Sequence, residues 1–254
     1  MKFPTDHRQA RDEICKIGRR LVEQGLVVAA DGNISVRLNE SEILCTPTGM
    51  SKGQMTPDDI CTIDLEGNQT GGSRRPSSES LLHLKVYRQR DDVTSVVHAH
   101  PPHATAFALT RQMIPAGILP EVELFLGEVP MAGYATPGTL ELASSIEPFV
   151  KSAKIIVLAN HGTLSWDFSL ERALWWTEIL DNYCRVLLLS RALGPPARLT
   201  NEEMRELLVK KEEWGIADAR SDQELADSDL RDNPLFLDLC RKVGVKQDAF
   251  KKDE

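Results

Sequence analysis

The sequence predicts an α/β protein in which an antiparallel or mixed sheet lies between helical layers. Two observations carry this. Alternating strand-like runs pair as hairpins and are followed by segments of helical periodicity. No regular strand–helix–strand alternation of the parallel kind runs through the chain. At 254 residues and 41% apolar content, there is material for one large core or two small ones.

The elements follow in order. Ala10, Ile14, Ile17 and Leu21 recur on one face of a helix over residues 8–24, and Gly25 stops it. Ile34, Val36 and Leu38 alternate with polar residues, residues 39–42 turn, and residues 43–46 return, which reads as an antiparallel hairpin. Residues 60–65 form a further strand closed by Glu66-Gly67-Asn68, and residues 71–75 are a loop. A helix then covers residues 80–87, with Ser77 or Ser78 as N-cap and Glu79 in the first turn. Residues 93–99 and 155–160 are apolar enough for central strands. Helices follow over residues 140–150 and 170–193. The second carries Leu174, Trp175, Ile179, Tyr183, Val186 and Leu187, a stripe read as core packing. No internal repeat is visible. Residues 1–216 read as the main domain. Residues 217–254 read as an acidic linker and a short amphipathic helix at 234–243.

The chemistry concentrates at strand ends. In His98-Ala99-His100 the two imidazoles project to one face, because side chains alternate along a strand. His161, after the run 155–158, brings a third. Three neutral imidazoles with an open position suit a catalytic zinc, whereas a polar strand end is the bland alternative. Gly32-Asn33 and Thr48-Gly49 are turns able to nest phosphate oxygens, and Ser77-Ser78 offers hydroxyls at a helix start. Ordinary turns and simple capping would use the same residues. His83 reads as a core histidine, His7 as solvated, His103 as pocket wall or structural, and Asp31 as support for its turn.

A net charge of −8 argues against a general nucleic-acid or anionic-membrane surface. No apolar run approaches the roughly 20 residues that span a bilayer, and the start lacks a signal-peptide core. Cys15, Cys45, Cys61, Cys184 and Cys240 lack Cys-x-x-Cys spacing and read as reduced thiols. A cytoplasmic protein is expected.

In order, these motifs, with Tyr134-Ala135-Thr136-Pro137-Gly138-Thr139, resemble the zinc-dependent class II aldolase/adducin family over residues 8–216, nearest its fuculose-phosphate aldolase branch. The resemblance implies a three-layer α/β/α fold with a central, mainly antiparallel sheet. It implies a homotetramer with active sites at subunit contacts and one Zn2+ per subunit on His98, His100, His161 and Glu79. Glu79 would ligate the metal and act as catalytic base. Asn33, Thr48, Gly49, Ser77 and Ser78 match phosphate-holding positions, with Gly32 in the same turn. The implied reaction cleaves a deoxy-ketose 1-phosphate, of the fuculose or rhamnulose type, through a metal-bound enediolate. The products are dihydroxyacetone phosphate and lactaldehyde.

Two departures stand out. Leu119 and Trp214 occupy places where these aldolases carry tyrosines, and a leucine transfers no protons. Glu121 and Glu123 lie nearby, either as substitute acids or as surface carboxylates. Epimerase, decarboxylase and dehydratase relatives are alternatives, although the 4-epimerases carry aspartate at the Glu79 position. A non-catalytic adducin-like module is a further alternative, against which the ligand set argues. The terminal helix is read as docked on the protein itself or as a dock for a scaffold or shell.

Overall fold

The computed structural model describes residues 6–216 together with Asp218 and Arg220. The chain divides into two compact units, residues 1–198 and 199–254. In the first, Asp6 opens α1 (His7–Glu23) by accepting from the backbone N–H groups of Arg8 and Gln9 at 2.8 and 3.2 Å. Those donors have no partner inside a helix. Ala10, Ile14, Ile17 and Leu21 are buried as their spacing predicts. Next come β1 (Asn33–Arg37) and β2 (Ile43–Cys45), the expected hairpin, then β3 (Cys61–Ile63) and a short edge strand, β4 (Gln69–Gly71). α2 (Ser80–Gln89), β5 (Ser95–Ala99), α3 (Pro102–Thr110), α4 (Pro120–Phe125), β6 (Met131–Ala132) and α5 (Leu140–Ser145) follow. The unit closes with β7 (Ile155–Leu158), β8 (Gly162–Asp167) and α6 (Leu170–Ser190).

The sheet order is β4-β3-β2-β1-β5-β8-β7-β6. Every pairing is antiparallel except β6–β7. Alternation decides what covers each face. Val96, Ile156, Leu158, Leu164 and Trp166 pack with α2 and α5. Val97 and Ala99 face α1 and the start of α6. Ile155 and Val157 meet α3, α4 and the rest of α6. The expected three-layer α/β/α architecture is therefore present.

Several local expectations are corrected. β7 lies one strand in from the edge, screened by the two-residue β6. α5 ends at Ser145, ahead of the expected 150, and α6 ends at Ser190. The core stripe of α6 runs through Ala173, Trp176, Thr177, Leu180, Tyr183, Cys184 and Leu187. Trp175 and Val186 are 43% and 45% exposed. At 100° per residue they fall beside the seam that meets the sheet and α3.

Cys15, Cys45, Cys61 and Cys184 are buried free thiols, as expected. Among the described residues no helix is long and apolar enough to cross a membrane. In the second unit α7 (Asn201–Glu213) starts with a capping box, Thr200 and Glu203 bonding each other's backbone. Cys240 and the expected amphipathic helix at 234–243 lie outside the described residues.

One buried polar group under the sheet has a measurable signature. Ser35 Oγ lies 2.6 Å from His83 Nδ1 and 2.7 Å from Tyr87 Oη, so His83 is the core histidine expected, although its Nε2 is buried without a partner among the described residues. Burial pushes its imidazole down to about 3. The unfolded chain binds a proton below about pH 6.5 that the folded chain refuses. Stability should therefore fall as pH drops from about 6.5 toward 3, by about 1.4 kcal/mol per pH unit for this group. Urea unfolding at pH 7, 6 and 5 measures the slope, and His83→Gln should make it shallower by about one proton.

Candidate metal centre and adjoining cavity

β1 pairs with β5 so that Asn33 lies opposite His98, and both occupy the face covered by α2. His100 follows directly after β5, and His161 sits in the short turn between β7 and β8. The three rings converge with centroids 4.9 Å (His98–His100), 4.7 Å (His98–His161) and 4.9 Å (His100–His161) apart. Glu79, immediately before α2, joins them. Its Oε2 is 3.4 Å from His98 Nε2 and its Oε1 is 3.3 Å from His161 Nε2. Asn33 Nδ2 donates to Glu79 Oε2 at 2.9 Å.

The ring nitrogens are assigned by their surroundings. His98 Nδ1 lies 2.8 Å from the Thr163 carbonyl, which only accepts, so that nitrogen carries the proton and Nε2 presents its lone pair. Asp31 Oδ2 faces His100 Nδ1 at 3.5 Å and directs that ring the same way. The two Nε2 atoms are 3.1 Å apart, and two lone pairs at that distance repel. A tetrahedral ion such as zinc, at 2.0–2.1 Å from each nitrogen, spaces its ligands by about 3.3 Å. Glu79 Oε1 is buried without a hydrogen-bond partner among the described residues. The donor set therefore fits a divalent cation.

Charge agrees with geometry. Burial holds His98 well below the ordinary imidazole range, and His100 also lies below it. His161 is pushed down to about 4. All three are neutral near pH 7, the state that binds metal. Burial raises the proton affinity of Glu79, opposed first by the Asn33 hydrogen bond and then by Lys52, while Asp31 adds to the rise.

Supports surround the cluster. Asn160 takes a left-handed conformation, φ 56°, that turns His161 inward. Arg111 Nε donates to its side-chain oxygen at 2.8 Å, and its N–H donates to the Ala108 carbonyl at 3.0 Å. At Gly162 a Cβ would stand 2.5 Å from the Ala99 carbonyl and 2.6 Å from His100 Cδ2, so only glycine lets His100 lie there. Asp181 caps α3 by accepting from His103 N and Ala104 N, and its Oδ2 lies 2.7 Å from His103 Nδ1. His103 is thus tied to α6 in the structural role expected. Asp31 does more than support a turn.

Beside the cluster lies a cavity of about 130 Å³. Gly32, Asn33, Thr48, Gly49, Ser77 and Ser78 line it, together with Asp31, Glu79 and His100. Thr48 N donates to Arg75 O at 3.0 Å and Ser77 N to Thr46 O at 3.1 Å, stitching the two loops together. The helix start differs from expectation. Glu79, rather than Ser77 or Ser78, holds the N-cap position of α2 and makes no capping bond, because its carboxylate is drawn to Asn33 and the histidines. Ser77 Oγ instead accepts from Glu79 N at 3.3 Å. Lys52 also lines the cavity and escaped the sequence reading. Leu119 stands at the N-cap of α4, and buried Glu123 accepts from Gly117 N at 2.5 Å. Glu121 is exposed, and Trp214 is 52% exposed at the end of α7.

The description "Class II Aldolase and Adducin N-terminal domain" matches residues 12–188. The chain belongs to the class II aldolase and adducin family. A 5-deoxy-D-ribulose 1-phosphate aldolase of Bacillus thuringiensis serovar kurstaki is 30% identical over 210 residues, 82% of this chain and 98% of the relative. A 3-oxo-tetronate 4-phosphate decarboxylase of Haemophilus influenzae is 30% identical over 208 residues, covering 80% and 97%. Among solved structures an L-fuculose 1-phosphate aldolase superposes with TM-score 0.74 at 33% identity, over 80% of this chain and 96% of that one.

Membership of this family and the packing of Gly162 make metal binding a sharp test. Protein stripped with a chelator should take up one Co2+ per chain, read from its visible absorption. Gly162→Ala, which forces His100 aside, should weaken uptake at least tenfold. Unchanged uptake would show that His100 is not a ligand.

Proposed function

We propose that this chain is a zinc-dependent aldolase that cleaves a deoxy-ketose 1-phosphate, of the fuculose or rhamnulose type, to dihydroxyacetone phosphate and lactaldehyde. One observation carries the reading: a three-imidazole cluster, with His98 buried and His100 and His161 partly so, and with an adjoining carboxylate, borders a small cavity lined by hydroxyls and glycine turns. It acts as a cytoplasmic homotetramer. The exposed apolar side chains of Trp175, Val186 and Leu189 on α6 support contact with a second copy.

The cavity residues Thr48, Ser77 and Ser78 bind the phosphate, a group that does not react, and so position the carbons that do. His98, His100, His161 and Glu79 hold the cation, with Asp31 and the Thr163 carbonyl aiming two of the rings. When bound, the cation supplies Lewis-acid stabilisation of the negative charge that develops beside the substrate carbonyl. Breaking the C3–C4 bond turns the C4 hydroxyl into the aldehyde carbonyl, its proton passing to solvent water, and leaves an electron pair at C3, to which the Glu79 carboxyl delivers a proton; in synthesis both transfers reverse. Asn33 fixes Oε2, and Oε1, a metal donor only while substrate is absent, carries the proton once substrate is bound. The burial that raises Glu79's proton affinity suits it to both directions. Leu119 carries no proton and Glu123 is committed to Gly117, so neither is assigned the C4 hydroxyl proton.

A second reading, a decarboxylase of a phosphorylated oxo-acid, is favoured by the Haemophilus influenzae relative. Loss of carbon dioxide would leave the same kind of charge beside a carbonyl. A panel of ketose 1-phosphates, pentulose 5-phosphates and oxo-acid phosphates, with products identified by mass, separates the two. Glu79→Gln should retain metal and lower kcat on the accepted substrate by about 10²–10⁴-fold. Full activity in that variant would remove Glu79 from the proton transfer.

A further inference from the structure

Lys52 lines the cavity with only 1% of its surface exposed. Its Nζ donates to the Ala30 carbonyl at 2.9 Å and to the Met50 carbonyl at 2.7 Å. Both acceptors are neutral; among the described residues no carboxylate lies within ion-pairing distance, and Asp31 and Glu79, which line the same cavity, act on the ammonium only from further away. An ammonium has three protons to donate, so one is left over. A buried ammonium whose nearest carboxylates lie outside contact distance is stabilised by an anion placed directly beside it. The open side of the cavity, where Thr48, Gly49, Ser77 and Ser78 converge, is where such an anion fits.

We propose that Lys52 is a specificity-determining residue that selects an anionic substrate by pairing its ammonium with the substrate phosphate. The inference rests on the phosphate reading of this cavity and adds to it a discrimination that hydroxyls lack. Serine and threonine side chains bond a polyol as readily as a phosphate, whereas a buried ammonium demands a charge. Lys52 has a second effect through the same atom. Ala30 precedes the Gly32-Asn33 turn and Met50 follows the Thr48-Gly49 turn, so the bonds to their carbonyls set the spacing of the two turns. The anion and the turn geometry are thereby coupled.

Inorganic phosphate titrated calorimetrically into the full-length protein at low salt is the probe, with hydroxyacetone as a neutral control. Lys52→Met should lower phosphate affinity about 10- to 100-fold, Lys52→Arg should restore part of it, and hydroxyacetone binding should change less than twofold. Phosphate affinity in Lys52→Met within twofold of the wild type would overturn the proposal and leave Lys52 as a clamp between turns. If Thr48→Ala loses phosphate while Lys52→Met keeps it, the phosphate reading stands and the Lys52 assignment falls. If the wild type binds no phosphate, or both variants bind it undiminished, both fall. Should Lys52→Met fail to fold, wild-type protein labelled with ¹⁵N-lysine answers the question. A Lys52 ammonium signal that shifts on adding phosphate supports the pairing, and one that stays fixed while phosphate binds refutes it.

Discussion

The Nε2 atoms of His98 and His100, held 3.1 Å apart while the other nitrogen of each ring faces a carbonyl or a carboxylate, are the constraint on which the site depends. The arrangement is imposed from outside. The Thr163 carbonyl and Asp31 draw the ring protons of His98 and His100 away from each other. The pairing of β1 with β5 and of β5 with β8 keeps the backbone from relaxing. Desolvation adds to the effect by refusing the protons that would relieve the crowding. What remains is a concentration of electron pairs, with the Glu79 carboxylate at its rim, whose natural complement is a small positive ion.

The polarity of the sheet explains why the carboxylate arrives where it does. Asn33, Ser35 and Arg37 share one face of β1. Ser35 contacts His83 and Tyr87 of α2, and Arg37 reaches the Tyr87 carbonyl. This docks α2 with its first residue beside Asn33, so the side chain just before the helix meets His98. The same polar layer therefore seats the helix and aims its acid. A helix that packed through apolar contacts alone would have more freedom to slide along the sheet.

Much of this was legible from residue order. Period-two alternation gave the β1–β2 hairpin, and His98-Ala99-His100 announced two imidazoles on one face before any pairing was known. The six small and polar residues expected at the cavity do line it. What escaped was of another kind. Lys52 follows an ordinary turn, and nothing in the local pattern says its ammonium is buried. The need for Gly162 arises from the end of β5, far earlier in the chain, where the Ala99 carbonyl and the His100 ring close on it. Trp175 and Trp176 are adjacent and chemically alike, and only the packing of α6 decides which is buried. β8 pairs with β5 across a long stretch of chain, and its alternation of Thr163, Leu164, Ser165 and Trp166 went unread.

α3 ties two ligand-bearing segments together. Its first turn, clamped by Asp181, follows His100, and its far end holds Asn160 through Ala108 and Arg111. A helix is a stiff rod in which one added residue advances the end by about 1.5 Å and swings it by about 100°. The β5–β8 ladder sets the distance between these imidazole carriers, and the length of a single short helix sets where Asn160 is held against them. Insertions within α3 would carry that support away from the ligand it steadies.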